Sequence, residues 1–315
     1  MADVSEHRVP TYDDIRAAAA LIAPWVRRTP VLEVDVDGRA VALKLELHQH
    51  AGSFKPRGAF TNVLAAEPRP SGLVAASGGN HGLAVAYAGH AIGIPTRVFV
   101  PETAPAVKVD AIVALGAAVT RVGVTYAEAL VASREAATGP GVLALHAYDS
   151  VATVSGQGTL GTEIGEQLPD VDTVMAAVGG GGLVAGVTLG LRGVRPSARV
   201  VAVEPESCPT LHRALEAGGP VDVQVGGVAA DALGASRSGE ISYAVAAEHG
   251  PASVLVSDEA ILEAQRWLWR EARVAAEPAG ATALAALLSG AYVPGEGERV
   301  CVVVCGGNAD PAGLT

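Results

Sequence analysis

The segment VMAAVGGGGLVAGV, residues 174 to 187, leaves few folds open to this chain. An apolar run enters four consecutive glycines, Gly179 to Gly182, and leaves them as a helical stretch beginning near Leu183. With no side chains in the turn, successive backbone N–H groups converge on one point, and the helix N-terminus adds its partial positive charge. The result is a cradle for an anion such as phosphate. The spacing is neither the dinucleotide GxGxxG nor the P-loop GxxxxGK[ST], because no Lys-Ser or Lys-Thr follows.

The same order of apolar run, turn and helix recurs along the chain. Strands are predicted at 73–77, 96–100, 118–122, 142–146, 172–178, 198–203 and 299–305. Between them, HGLAVAYAGHAI, PAVKVDAIVALG, TYAEALVASREAA, TLGTEIGEQL and GLVAGVTLGLRG read as helices. A further helix opens the chain, where Thr11 and Asp14 have capping-box spacing ahead of Ile15, Leu21, Ile22, Trp25 and Val26. Such alternation implies an α/β protein with largely parallel sheets covered by helices on both faces. At 315 residues the chain is long enough for two domains. A break is expected near His146 to Ser155.

Composition narrows the function. A net charge of −11 opposes binding to nucleic acid, which needs a basic stripe. The N-terminal MADVSEHRVP is polar and acidic, with no basic region leading into an apolar one, so no export signal is expected. The longest uncharged apolar stretches, Thr173 to Leu191 and Pro278 to Gly295, contain four successive glycines or two prolines and read as buried core rather than membrane spans. Cys208, Cys301 and Cys305 cannot all pair and sit in no CxxC or His-rich spacing, which predicts free thiols, a cytoplasmic protein and no metal site.

Two more turns follow strands. In AASGGNHGLAVAYA, Ser77, Asn80 and His81 stand at a helix start, where side chains and backbone N–H groups could surround a carboxylate. In VVVCGGNADP, Cys305 ends an apolar strand. Ligands of open α/β sheets bind at the carboxyl ends of the strands, so all three turns can face one crevice. Lys55 in GSFKPRGAF is one of three lysines in the chain, set between Phe54 and a proline. A phosphate cradle, a carboxylate nest and an isolated lysine together suggest pyridoxal phosphate, a phosphorylated cofactor that captures amino acids through an imine.

GSFKPRGA, SGGNHG, VGGGGL, VEPE and CGGN, in this order from about Tyr12 onward, resemble the fold-type II (tryptophan synthase β-like) pyridoxal phosphate enzymes, specifically the serine/threonine dehydratase and serine racemase family. The resemblance implies that Lys55 carries the cofactor, Phe54 packs beside its ring, Asn80 bonds the ring hydroxyl, and Gly179, Gly180, Gly181, Gly182 and Leu183 hold its phosphate. It implies that Ser77, Asn80 and His81 receive the substrate carboxylate, that Cys305 faces the pyridine nitrogen, and that Glu277 in AAEPAGA lies near the ring. It also implies a homodimer, with a small domain, residues 72–149, inserted in a large one formed by 1–71 and 150–315. The additional C-terminal regulatory domain of biosynthetic threonine deaminases is absent from this sequence, which predicts catabolic behaviour without isoleucine inhibition.

The chain departs from the family pattern in three places. Gly78 stands where the racemases carry a proton-donating serine. In EPESCPT, Glu204 is followed by Cys208 and Thr210 rather than by the acids of a divalent-metal site. Tyr148 and Asp149 replace an Asn-containing segment and are placed to read the substrate side chain. These features predict β-elimination of a 3-hydroxy amino acid such as L-threonine or L-serine to a 2-oxo acid and ammonia. Three rivals remain: a serine racemase, a β-replacement enzyme, and a non-catalytic module that binds a phosphorylated metabolite.

Overall fold

The computed structural model of the chain describes residues 8–104, 106–124 and 126–309. Helix α1 (Tyr12–Ile22) starts at the expected capping box, with Asp14 N donating to Thr11 Oγ1 and Thr11 N donating back to Asp14 Oδ2. A hairpin follows, β1 (Val31–Val36) and β2 (Arg39–Lys44), then α2 (Pro56–Ala65). Next come β3 (Gly72–Ala76), α3 (Asn80–Ile92), β4 (Thr96–Val100), α4 (Ala106–Ala114), β5 (Ala118–Arg121), α5 (Tyr126–Ala136) and β6 (Val142–Ala144). The chain continues through α6 (Val151–Gln167), β7 (Thr173–Ala177), α7 (Gly182–Val194), β8 (Arg199–Pro205), α8 (Thr210–Ala217) and α9 (Ala230–Leu233). It closes with α10 (Glu240–His249), β9 (Ala252–Val256), α11 (Asp258–Ala272), α12 (Pro278–Leu288) and β10 (Val300–Val303).

Two sheets result. Strands β5-β4-β3-β6 form a parallel four-stranded sheet drawn entirely from residues 72–144. The six-stranded sheet, ordered β1-β2-β10-β7-β8-β9, takes its strands from both sides of that segment and is parallel except for β1. Every residue of β7 is buried, and α7 and α12 each pack on β7 and β8. Strands covered on both faces lose the polar-apolar alternation of a half-exposed sheet, which is why TVMAA reads as a continuous apolar run.

The sequence reading omitted β1, β2 and β9. The hairpin carries its own signal, since Asp37 and Gly38 both have positive φ (51° and 81°) in a two-residue turn between alternating apolar residues. Strand β9 is only half-buried over most of its length, so its pattern is weak. Helix α6 also begins earlier than TLGTEIGEQL suggested, because Ser150 Oγ caps Thr153 N at 3.2 Å. The helix therefore takes up residues 151–155 of the interval in which the domain break was expected, and residues 146–150 lie before it. Residues 105 and 125, the first positions of two expected helices, lie outside the described residues.

Beneath the start of α2 lies a buried charged cluster. Arg57 donates from Nε and Nη2 to Glu46 at 2.8 Å each and from Nη2 to Glu163 at 2.9 Å. Lys44 Nζ donates to Glu163 at 2.5 Å and to Thr29 O and Gln167 Oε1 at 2.7 Å each. Two cations face two carboxylates, so the cluster is neutral and its polar atoms are well supplied with partners. That condition is what makes burial of four charges tolerable. The cluster anchors α2 two residues beyond Lys55.

Candidate active site

A cavity opens where the turns after β3, β7 and β10 approach the start of α2. Its lining includes Phe54, Lys55, Asn80, Gly179, Gly180, Gly181, Gly182, Leu183, Glu277 and Cys305, together with Tyr148, Gln157 and Leu233. Eleven residues singled out in the sequence, Tyr148 among them, thus meet in one place. Ser77 and His81 are not part of the lining.

The glycine turn is held from behind. Thr210 Oγ1 donates to Gly179 O at 2.5 Å, and Gly239 N donates to Gly180 O at 3.0 Å. In a trans peptide the C=O and the following N–H point in opposite directions, so these two bonds turn the N–H groups of Gly180 and Gly181 away from α8 and α10. No side chain caps the N-terminus of α7. A Cβ on Gly180 would lie 2.3 Å from the Tyr148 ring, so no other residue fits between that ring and the turn.

Lys55 stands across the cavity. Its Nζ donates to Ala147 O at 2.8 Å and lies 5.1 Å from the centre of the Phe54 ring. Burial pulls its ammonium down to about 8, against the opposing pull of Cys305 and Glu277. Lys44 is locked in the charged cluster, and Lys108 of α4 pairs with Asp231 of α9 at the cavity's edge. Lys55 is therefore the lysine left without a carboxylate partner among the described contacts.

The remaining groups are ordered by hydrogen bonds. Asn80 Nδ2 donates to Glu277 Oε1 at 2.5 Å, and burial raises the Glu277 carboxyl above its usual range. Cys305 Sγ donates to Ala279 O at 3.4 Å, and burial pushes its thiol well above the usual range, so it is neutral. Gln157 is buried with no partner for its Oε1. It was not singled out in the sequence, although a glutamine flanked by glycines in SGQGT was a visible signal.

Outside the lining, the His81 ring bonds Leu145 O at 3.1 Å through Nε2, and burial lowers it to about 3. The imidazole is thus neutral and turned toward β6. Ser77 Oγ accepts from Gly79 N at 3.1 Å. Of the two residues placed to read a side chain, Tyr148 lines the cavity, whereas Asp149 accepts from Glu240 N and Ile241 N at 3.0 Å each and caps α10. Glu204 spends its carboxylate on α8, accepting from Leu211 N and His212 N at 2.8 Å each, with Thr210 Oγ1 3.2 Å away. Among the described residues no cluster of three or more acids, histidines or cysteines is placed to hold a metal.

The cavity fits pyridoxal phosphate. An uncapped, inward-facing glycine turn suits its phosphate, a lysine with lowered pKa suits its aldehyde, and a neutral thiol and a carboxamide suit its ring heteroatoms. Comparison with known proteins agrees. The pattern of the family described as "Pyridoxal-phosphate dependent enzyme" matches residues 22–306. Phenylserine dehydratase of Ralstonia pickettii is 37% identical over 322 residues, spanning 99% of this chain and 97% of that protein. L-threonine ammonia-lyase of Thermotoga maritima is 35% identical over 306 residues, spanning 95% of this chain and 76% of the relative. The structure of maize serine racemase superposes with a TM-score of 0.91 at 33% identity, covering 98% of this chain and 96% of that one. By fold, cavity and sequence, the chain belongs to the pyridoxal-phosphate dependent enzymes, fold type II, of the dehydratase and racemase kind.

Proposed function

We propose that this protein is a β-eliminating ammonia-lyase that converts a 3-hydroxy amino acid, such as L-threonine or L-serine, to a 2-oxo acid and ammonia. The observation that carries the reading is Lys55, an amine with lowered pKa facing an uncapped glycine turn across one cavity. When bound, pyridoxal phosphate supplies an aldehyde that condenses with amines and a ring that withdraws electrons from the substrate Cα. The N–H groups of the Gly179–Gly182 turn and Leu183 would hold its phosphate. Phe54 would pack beside the ring, Asn80, held by Glu277, would donate to the ring hydroxyl, and the Cys305 thiol would serve the pyridine nitrogen.

Lys55 Nζ is the base that takes the Cα proton, and a pKa near 8 keeps a useful share of it unprotonated near neutrality. Loss of the β-hydroxyl as water, followed by hydrolysis, balances the reaction as amino acid to oxo acid plus ammonia. The substrate carboxylate lies at the N-terminus of α3, beside Asn80, where the helix dipole favours an anion. His81 serves there through its backbone and its packing, since its ring is neutral and engaged with Leu145.

Gly78 favours elimination over racemisation. A Cβ added there would meet Ala104 Cβ at 3.3 Å and Val100 Cγ1 at 3.6 Å, an apolar neighbourhood, and glycine has no side-chain proton to give to the second face of Cα. The segment 72–149, with its own sheet, forms a small domain against a large one made of 1–71 and 150–315.

The test is reconstitution. Cofactor-free protein should gain the imine absorbance at a rate that rises with pH and levels off above about 8, because only the neutral amine attacks the aldehyde. Lys55→Ala should fold, gain no such absorbance, and release no oxo acid. A rate that keeps climbing toward the ordinary lysine value near 10.5, or normal turnover by Lys55→Ala, contradicts the reading.

A further inference from the structure

We infer that Asn308, outside the cavity lining, is a positioning residue that sets which end of the Asn80 carboxamide faces the cofactor ring. The inference rests on the reading above, in which Asn80 meets the ring hydroxyl. A carboxamide has a donor end and an acceptor end of nearly the same shape, so its orientation is dictated by its partners. Glu277 alone is a poor dictator for Asn80, because a carboxyl accepts when ionised and both donates and accepts when protonated.

Asn308 supplies an unambiguous reference. Its Nδ2 donates to Ala51 O at 2.9 Å, and a backbone carbonyl only accepts, so the amino end of Asn308 must lie on that side. The same Nδ2 donates to Asn80 Oδ1 at 2.8 Å. Asn80 must therefore present its own Nδ2 to Glu277 and the cavity, with one N–H on Glu277 and the second available to an acceptor. The donor end that a ring hydroxyl or its anion requires is thus specified by a relay running from Ala51 O through Asn308 to Asn80.

The surrounding backbone is shaped for this contact. Ala51 adopts φ 57°, a left-handed conformation uncommon for a non-glycine residue, and it aims its carbonyl at Asn308. Gly52 follows at φ 69°, and a Cβ there would fall 2.2 Å from Asn308 Oδ1. Gly307 N donates to Gly52 O at 2.9 Å, and Phe54 N donates to Cys305 O at 3.1 Å. The segment that carries Lys55 and the segment that carries Cys305 are therefore zipped together, with Asn308 at the end of the zip.

A double-mutant cycle on cofactor affinity tests the relay, using Asn308→Ala, Asn80→Ala and the pair, read by equilibrium titration of the cofactor-free proteins with pyridoxal phosphate. Loss of one orienting hydrogen bond corresponds to a factor of about 3 to 10, so Asn308→Ala should weaken cofactor binding by about that factor. In the Asn80→Ala background the same change should add less than about twofold, because Asn308 acts through Asn80. Asn308→Asp, which presents only acceptors when ionised, should be weaker still at neutral pH, with a shifted cofactor absorbance. It should recover as the pH falls and the carboxyl becomes a donor. Should the aspartate variant fail to fold, the alanine cycle decides alone. Unchanged affinity in Asn308→Ala, or losses that simply add in the pair, overturns the inference. Failure of the wild-type protein to take up the cofactor on Lys55, judged by borohydride fixation and peptide mapping, instead overturns the functional reading itself.

Discussion

At the scale of single residues, the cavity is built from groups whose neighbours settle their protonation and direction. Cys305 is the plainest case. In the proposed reading, its neutral buried thiol beside the pyridine nitrogen would leave that nitrogen without the proton a carboxylate would impose, and the ring would then withdraw electrons less strongly, which would favour prompt loss of the β-leaving group. Cys305→Ser keeps a hydrogen-bonding group of similar size and should retain turnover within a few-fold. Cys305→Asp should shift the cofactor absorbance and divert product from oxo acid toward transamination. Cys301, buried within β10 with its thiol pushed up to about 12 by burial, is the control, and Cys301→Ser should do neither. An aspartate at 305 that leaves absorbance and products unchanged in a folded, loaded protein removes Cys305 from the ring. Lys55, Cys305 and the glycines were legible because each sits in a short run with its own chemistry. Asn308 was not, since its meaning lies in contacts to Ala51, 257 positions away, and Asn80, 228 away. Local pattern carries no trace of such pairings.

At the scale of elements, α2 is held by its charged underside more than by propensity. It has no side-chain cap, yet it must present Lys55 at a fixed height. Arg57 does this through Glu46 and Glu163. Arg57→Met leaves two buried carboxylates sharing only Lys44, and breaking a buried pair from one side costs about 3–5 kcal/mol. The expected outcome in a urea titration is a loss of that order, with cofactor affinity falling alongside it because α2 moves. A loss below about 1 kcal/mol with intact loading shows that the cluster does not support the site. The parallel strands β3, β7 and β10 were readable because burial on both faces makes them nearly continuous apolar runs. Strands β1 and β2 escaped because charges interrupt them, and only the Asp37-Gly38 turn marks their pairing. The buried cluster was invisible for a different reason, since Lys44, Glu46, Arg57 and Glu163 each look like surface residues until the fold brings them together.

At the scale of the whole molecule, the α3 N-terminus, which follows a strand of the four-stranded sheet, and the glycine turn, which follows a strand of the six-stranded sheet, meet at a single cavity, so in the proposed reading amino-acid capture and phosphate anchoring fall to elements of different sheets. Lys108 of α4 pairs with Asp231 of α9. The family relationship admits both elimination and racemisation, and in the proposed reading the choice falls on one face of the substrate Cα: Lys55 would serve one face, while Gly78 would leave the other without a side-chain donor. The most direct measurement is the product distribution from L-serine with fully loaded protein, with pyruvate followed by reduction and D-serine by chiral chromatography. Pyruvate with an equal yield of ammonia, far exceeding D-serine, is the predicted result, whereas D-serine in amounts comparable to pyruvate would contradict it.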